Sequence, residues 1–343
     1  MANPAALRHS QGRLLPLLLA ALVMLAIFTF GAFALSPWPS ALLVRRAFDR
    51  AGHAANDALA AHVPPGIRTQ ADVRYDANDP DAVLDISRPA ALDGRRLPVV
   101  FWIHGGGYVA GSRHDVANYA RILAAGGFAV ITVDYSLAPA ARYPKPVQQL
   151  SRALAFLSAH AEPLGLDTGH MVLAGDSAGA QLASQLAALA TSPDYAKATG
   201  LRAGITSAQL RGVVLFCGPH DGRLMASQVA SSWLLRTMMW SYFGTPRPDE
   251  ATVRGFAVVP HVTQAFPPAF ISVGNGDSLQ AQSIALAETL QRHGVRVETL
   301  FYPASHLPVL GHEYQFNLAQ PEASEALERT QAFLRSVLAP GKN

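Results

Sequence analysis

The sequence predicts an α/β fold, a mostly parallel sheet covered by helices, preceded by one helix of membrane-spanning length. Three observations carry this. The runs Pro98–Ile103, Phe128–Val133 and Val213–Phe216 are apolar on both faces, as strands buried on both sides must be. From residue 70 onward, strand-like runs alternate with helix-like ones, which is the α/β pattern. Leu14–Leu35 is a stretch of 22 residues without a charge or a histidine. At a rise of ~1.5 Å per residue it reaches about 33 Å, enough for a bilayer core.

In chain order, residues 1–36 are expected to be a membrane anchor or a signal peptide. Arg8 and Arg13 precede the apolar run, and Pro16 falls in its first turn, where a missing N–H does no harm. Ala32-Phe33-Ala34 resembles a cleavage site, but the run exceeds the roughly 7–15 residues of a signal core. Anchoring is therefore the preferred reading, with the bulk of the chain outside the cytoplasm. The alternative is a secreted or periplasmic chain after signal cleavage. Ser36-Pro37-Trp38-Pro39 breaks the run, and residues 37–69 read as an amphipathic helix and linker ending at Pro64-Pro65-Gly66. Residues 70–340 are expected to form the main domain. Its strands are placed at 71–75, 82–87, 97–103, 128–134, 170–175, 210–217, 268–273 and 295–301, with the first two as an antiparallel hairpin. Its helices are placed near 115–126, 145–160, 178–191, 278–293 and 321–338. Residues 219–260 interrupt the alternation with Trp233, Met238, Met239, Trp240, Tyr242 and Phe243. This apolar insertion is read as a lid or cap able to build an apolar pocket.

Composition narrows the function. Half of the residues are hydrophobic and 15% are charged, which excludes a disordered polymer. The 27 Lys+Arg barely outnumber the 24 Asp+Glu, and no block of like charges appears, so nucleic acid is not an expected partner. The single Cys217 sits in an apolar run and reads as a buried small hydrophobe. No Cys/His group has zinc-ligand spacing, so no metal is expected.

Two motifs carry chemistry. Met171–Ala174 runs as a strand into Gly175-Asp176-Ser177-Ala178-Gly179, and a helix-forming stretch follows. Strand, Gly-x-Ser-x-Gly and helix together make a nucleophile elbow, a strained turn that presents the Ser177 hydroxyl. The helix start behind Ser177 offers positive potential to a developing oxyanion. The second motif, His104-Gly105-Gly106-Gly107, ends the strand at 97–103. Three glycines let backbone N–H groups turn inward, and two of these with the N–H of Ala178 can hold a negative oxygen.

Together with Asp134-Tyr135-Ser136-Leu137-Ala138-Pro139, these motifs resemble the hormone-sensitive-lipase-like branch of the α/β-hydrolases, over roughly residues 70–338. The resemblance implies an eight-stranded, mostly parallel sheet with a helical cap, and a serine esterase without cofactor acting on small-molecule esters. It implies Gly106 and Gly107 as oxyanion donors and His104 as loop support. Ser136 and Ala140 stand where the family has Arg and Glu, so altered loop support is expected. The acid should follow the serine and precede the histidine. Asp277, past the strand at 268–273, fits, and Asp there also suits a helix cap. For the histidine, His306 just beyond the last strand is preferred, and His312 is the alternative, since neither is followed by the family's Gly-Phe. Asp176 adjoins the nucleophile and is expected to orient backbone. Two other readings remain: a deacetylase or amidase using the same residues, and a non-catalytic ligand receptor. Oligomeric state is not legible.

Overall fold

The structure, a computed structural model, describes residues 4–339, with side chains from Pro16 onward. A long helix α1 (Pro4–Leu35) is followed, after a break at Ser36-Pro37, by α2 (Trp38–Leu59). Pro16–Leu35 has a mean hydropathy of 2.5, and none of its residues is buried. That length and composition suit a membrane anchor and a signal sequence alike.

Eight strands form one sheet: β1 (Ile67–Arg74), β2 (Val83–Pro89), β3 (Leu97–Ile103), β4 (Ala129–Val133), β5 (Leu166–Asp176), β6 (Leu210–Phe216), β7 (Ala269–Val273) and β8 (Val297–Phe301). Their order is β1-β2-β4-β3-β5-β6-β7-β8. β1 pairs antiparallel with β2, and β2 antiparallel with β4; the other pairs are parallel. The fold is that of an α/β hydrolase.

The pleat divides the core into two layers. Val99, Phe101 and Ile103 of β3 face a layer that also holds α4 (Lys145–Ala159), α5 (Ala178–Thr191) and α10 (Gln280–Arg292). Val100 and Trp102 face the opposite layer, with α3 (Ala117–Ala124) and α11 (Pro321–Leu338). The short helix α6 (Pro193–Thr199) follows α5. Three helices separate β6 from β7: α7 (Gly222–Ser231), α8 (Trp233–Phe243) and α9 (Glu250–Phe256). Tyr242 of α8 is fully buried and stacks on Tyr108, with ring centres 3.9 Å apart.

Within residues 37–69, read as an amphipathic helix and linker, α2 is tied to the body. Arg45 of α2 donates to the carbonyls of Val109 and Ala138, at 2.6 and 2.9 Å. Asp49 accepts from Gly111 N–H, and Asn56 accepts two hydrogen bonds from Asn118. Ala41, Val44 and Leu59 are buried.

Candidate active site

The parallel strands end together at their C-terminal edge, and the site is built on the loops there. β5 runs directly into Ser177, whose φ of 50° and ψ of −118° lie in a sparsely populated region, and α5 starts at the next residue. Such backbone costs about 1–3 kcal/mol and persists only where its surroundings enforce it. The enforcement is crowding: a side chain on Gly179 would meet the Ile103 and His104 carbonyls, and one on Gly175 the Gly179 backbone. Ser177 N–H donates to the Phe216 carbonyl at 2.7 Å.

Ser177 Oγ donates to His312 Nε2 at 2.9 Å, and His312 Nδ1 donates to Asp277 Oδ2 at 2.8 Å. Asp277 follows β7 and its side chain is fully buried. Its other oxygen accepts from Leu279 N–H at 2.8 Å, a local turn bond; the cap position of α10 is Leu279, not Asp277.

The histidine preferred from sequence, His306, is not the one brought to Ser177. Its Nε2 bonds Glu322 Oε1 at 2.9 Å, at the start of α11. The reason lies in Asn275, which donates to the carbonyls of Pro303 and His306 and accepts from Leu310 N–H at 2.8 Å. These bonds hold the chain alongside the acid loop beyond β8, and it turns inward only at Gly311-His312. Gly274 permits the approach, since a side chain there would meet the Leu310 and Gly311 carbonyls. Asn275 was not singled out from sequence; its signal was its position in the same polar loop as Asp277.

Burial opposes protonation of His312, but neighbouring Cys217, Asp277 and Glu313 outweigh it and hold the imidazole above the ordinary histidine range. Burial pushes the Cys217 thiol up to about 11. Cys217 is buried as expected, and it also adjoins the imidazole. The donor atoms of Cys217, Asp277 and His312 lie within 4.8 Å of one another, but the two ring nitrogens are already engaged by Asp277 and Ser177.

Asp176 is buried and bridges two elements. Its oxygens accept from Trp102 Nε1 at 2.8 Å and from Gly105 N–H at 2.7 Å, tying the glycine loop to the elbow. Burial and the adjacent Glu313 carboxylate push Asp176 far above the usual carboxylate range. Two carboxyls this close do not readily ionise together. His104 Nδ1 donates to the Gly105 carbonyl at 2.8 Å, and its ring stacks on Tyr135. Gly106 and Gly107 have φ of +100° and +60°. A side chain on Gly106 would meet the Ala110 carbonyl, and one on Gly107 the Met238 sulfur. Among the described residues, no protein acceptor takes the N–H of Gly106 or Gly107. Ala178 opens α5, where the first N–H groups lack helical partners.

Support for the loop lacking the family's Arg and Glu comes from elsewhere. Ser136 N–H donates to Gln149 Oε1 at 2.8 Å, and Ser136 Oγ donates to Asp81. Arg113 gathers Asp72, Asp85 and Asp134 around one guanidinium.

A cavity of about 420 Å³ opens beside Ser177. α2 lines it through Phe48, Ala51, Gly52, Ala55 and Ala58, while Met238 of the 219–260 insertion packs against the neighbouring Gly107. The insertion encloses a separate cavity of about 190 Å³, lined by Met225, Met239, Trp240 and Phe256 among others.

The strand order, the elbow and the glycine loop define an α/β hydrolase. The chain belongs to that family: the model described as alpha/beta hydrolase fold matches residues 100–307. Carboxylesterase NlhH of Mycobacterium tuberculosis is 32% identical over 248 residues, 71% of this chain and 74% of that protein. Ethyl acetate hydrolase of Pseudomonas putida is 29% identical over 252 residues, 66% of this chain and 75% of the other. Among solved structures, tributyrin phosphonate-inhibited esterase B from Lactobacillus rhamnosis superposes with a TM-score of 0.74 at 28% identity. The match covers 87% of this chain and 96% of that one.

Proposed function

We propose that this carboxylic-ester hydrolase works through Ser177, His312 and Asp277 and an acyl-enzyme intermediate. The observation that carries the reading is the hydrogen-bond chain from Ser177 Oγ through His312 to buried Asp277, beside an open cavity. His312 Nε2 takes the Ser177 proton as Oγ attacks the ester carbonyl. Asp277 holds the proton on Nδ1 and stabilises the imidazolium. The N–H groups of Gly106, Gly107 and Ala178 hold the oxyanion, where removal of one donor typically costs roughly 3 kcal/mol. The imidazolium then protonates the leaving alkoxide. Water, activated by the same imidazole, attacks the acyl-enzyme and releases the acid and Ser177. A ligand receptor on this scaffold has no need of such a relay.

The domain reading is extended here. Residues 219–260 act as a cap beside the glycine loop, where Met238 packs on Gly107, and α2 walls the cavity. The apolar α1 anchors the chain in a membrane with the catalytic body outside the cytoplasm; its 20-residue span exceeds a signal core. Ser177→Ala is expected to abolish p-nitrophenyl acetate hydrolysis and fluorophosphonate labelling while the circular dichroism spectrum stays unchanged. Wild-type turnover in that variant overturns the mechanism.

A further inference from the structure

We propose that the preferred esters carry a protonated amine on their alcohol half, held by Glu313 with Asp115 and His104 as further acceptors. The inference rests on the hydrolytic reading above and names its substrate class.

Glu313 occupies the position after the imidazole, in left-handed backbone with φ of 58°. Its Oε1 lies 3.6 Å from His312 Nε2, the atom that delivers a proton to the leaving oxygen. Any leaving group able to receive that proton passes beside this carboxylate. Gly105 makes room for it, since a side chain there would meet both Asp176 and Glu313.

The rest of the cavity asks for hydrogen-bond donors. His104 is 1% exposed and lines the cavity. Its Nδ1 carries the hydrogen given to the Gly105 carbonyl, so Nε2 is a lone-pair acceptor, and it has no partner. Burial pushes His104 down, which keeps the ring neutral. Asp115 also lines the cavity; its Oδ2 accepts from Ser112 N–H, while buried Oδ1 has no hydrogen-bond partner. Exposed His53 lies 3.4 Å from that oxygen, an ion pair only when His53 is protonated. Among the lining residues there is no Lys or Arg, and Asn317 is the sole amide. Phe48 and Phe316 add aromatic rings, whose faces attract cations. Anionic and neutral acceptors without competing cations suit an ammonium bearing N–H groups. They disfavour a carboxylate-bearing ester.

The test compares 2-(dimethylamino)ethyl acetate with its neutral isostere 3-methylbutyl acetate at neutral pH, using the full chain in detergent. The ratio of their kcat/KM values is internal to each variant, so a general loss of activity cancels. In the wild type the ratio is expected to favour the amine about tenfold or more, equivalent to roughly 1.4 kcal/mol. Glu313→Gln is expected to bring it near one, and Asp115→Asn to lower it part of the way. A wild-type ratio at or below one overturns the proposal, as does a ratio unmoved in the folded variants. If Glu313→Gln does not fold, the Asp115→Asn ratio decides. If the wild type cleaves neither ester nor p-nitrophenyl acetate, the hydrolase reading itself fails. Cleavage of p-nitrophenyl acetate without amine preference sinks this inference alone.

Discussion

Replacing each candidate histidine by glutamine separates the two imidazoles by several orders of magnitude. His312 touches Ser177 Oγ at 2.9 Å and Asp277 at 2.8 Å, so His312→Gln removes both the base and its link to the acid. Loss of the base from a serine relay lowers kcat about 10⁴- to 10⁶-fold. At ~1.36 kcal/mol per decade this is roughly 5–8 kcal/mol of barrier. His306 bonds Glu322 on the protein's flank and packs on Tyr302, with no contact to the hydroxyl. His306→Gln is expected to leave the rate within about threefold of wild type, because partly exposed ion pairs carry little energy. The assay is steady-state hydrolysis of p-nitrophenyl acetate, with fluorophosphonate labelling as an independent readout of Ser177 nucleophilicity. A His306→Gln variant losing a thousandfold, beside a nearly intact His312→Gln, refutes the assignment.

The imidazole must be neutral to accept the Ser177 proton, and its pKa is held above the ordinary histidine range, so activity falls as pH drops through a value above that range. The acid limb of a kcat/KM profile against pH measures this; a limb at or below the unperturbed value of about 6.5 contradicts the electrostatic account. Ala55→Phe places a ring in a cavity of about 420 Å³ and is expected to lower kcat/KM for butyl and hexyl acetates more than for methyl acetate. Equal loss across that series means that α2 does not bound the alcohol.

How much was legible depended on whether a residue's partner was close in sequence. β3, β4 and β6 announced themselves because burial on both faces leaves little polar alternation. The elbow was legible because the nucleophile, its glycines and the helix start lie within five residues. Asp277 was legible from a strand end followed by a helix start. His312 was not separable from His306, because the choice is made by Asn275, some thirty residues upstream and bonded to the intervening loop. Arg113 was invisible for the same reason: its carboxylates come from positions 72, 85 and 134. The part of α2 in the cavity wall was not legible because large aromatic residues draw attention and small ones do not. Met225, Met239 and Trp240 line a cavity of the insertion itself and Met238 packs on Gly107, whereas the face of α2 that borders the site is mainly Ala and Gly.

That smallness has an energetic counterpart. A helix face of Ala and Gly leaves room for substrate, but it contributes little apolar burial to hold α2 in place. The polar ties fill that gap: two from Arg45, one to Asp49 and two at Asn56. At about 1 kcal/mol net per hydrogen bond they contribute roughly 5 kcal/mol. Burial of Val44 and Leu59 adds about 1.5–3 kcal/mol each. The wall is thus held from its two ends and its back, while its cavity face stays free of bulk. Two residues, Ser36 and Pro37, separate this wall from the apolar span. The segment that bounds the substrate is therefore continuous with the segment that meets, or is cut from, the membrane, and α2 belongs to the catalytic unit in either case.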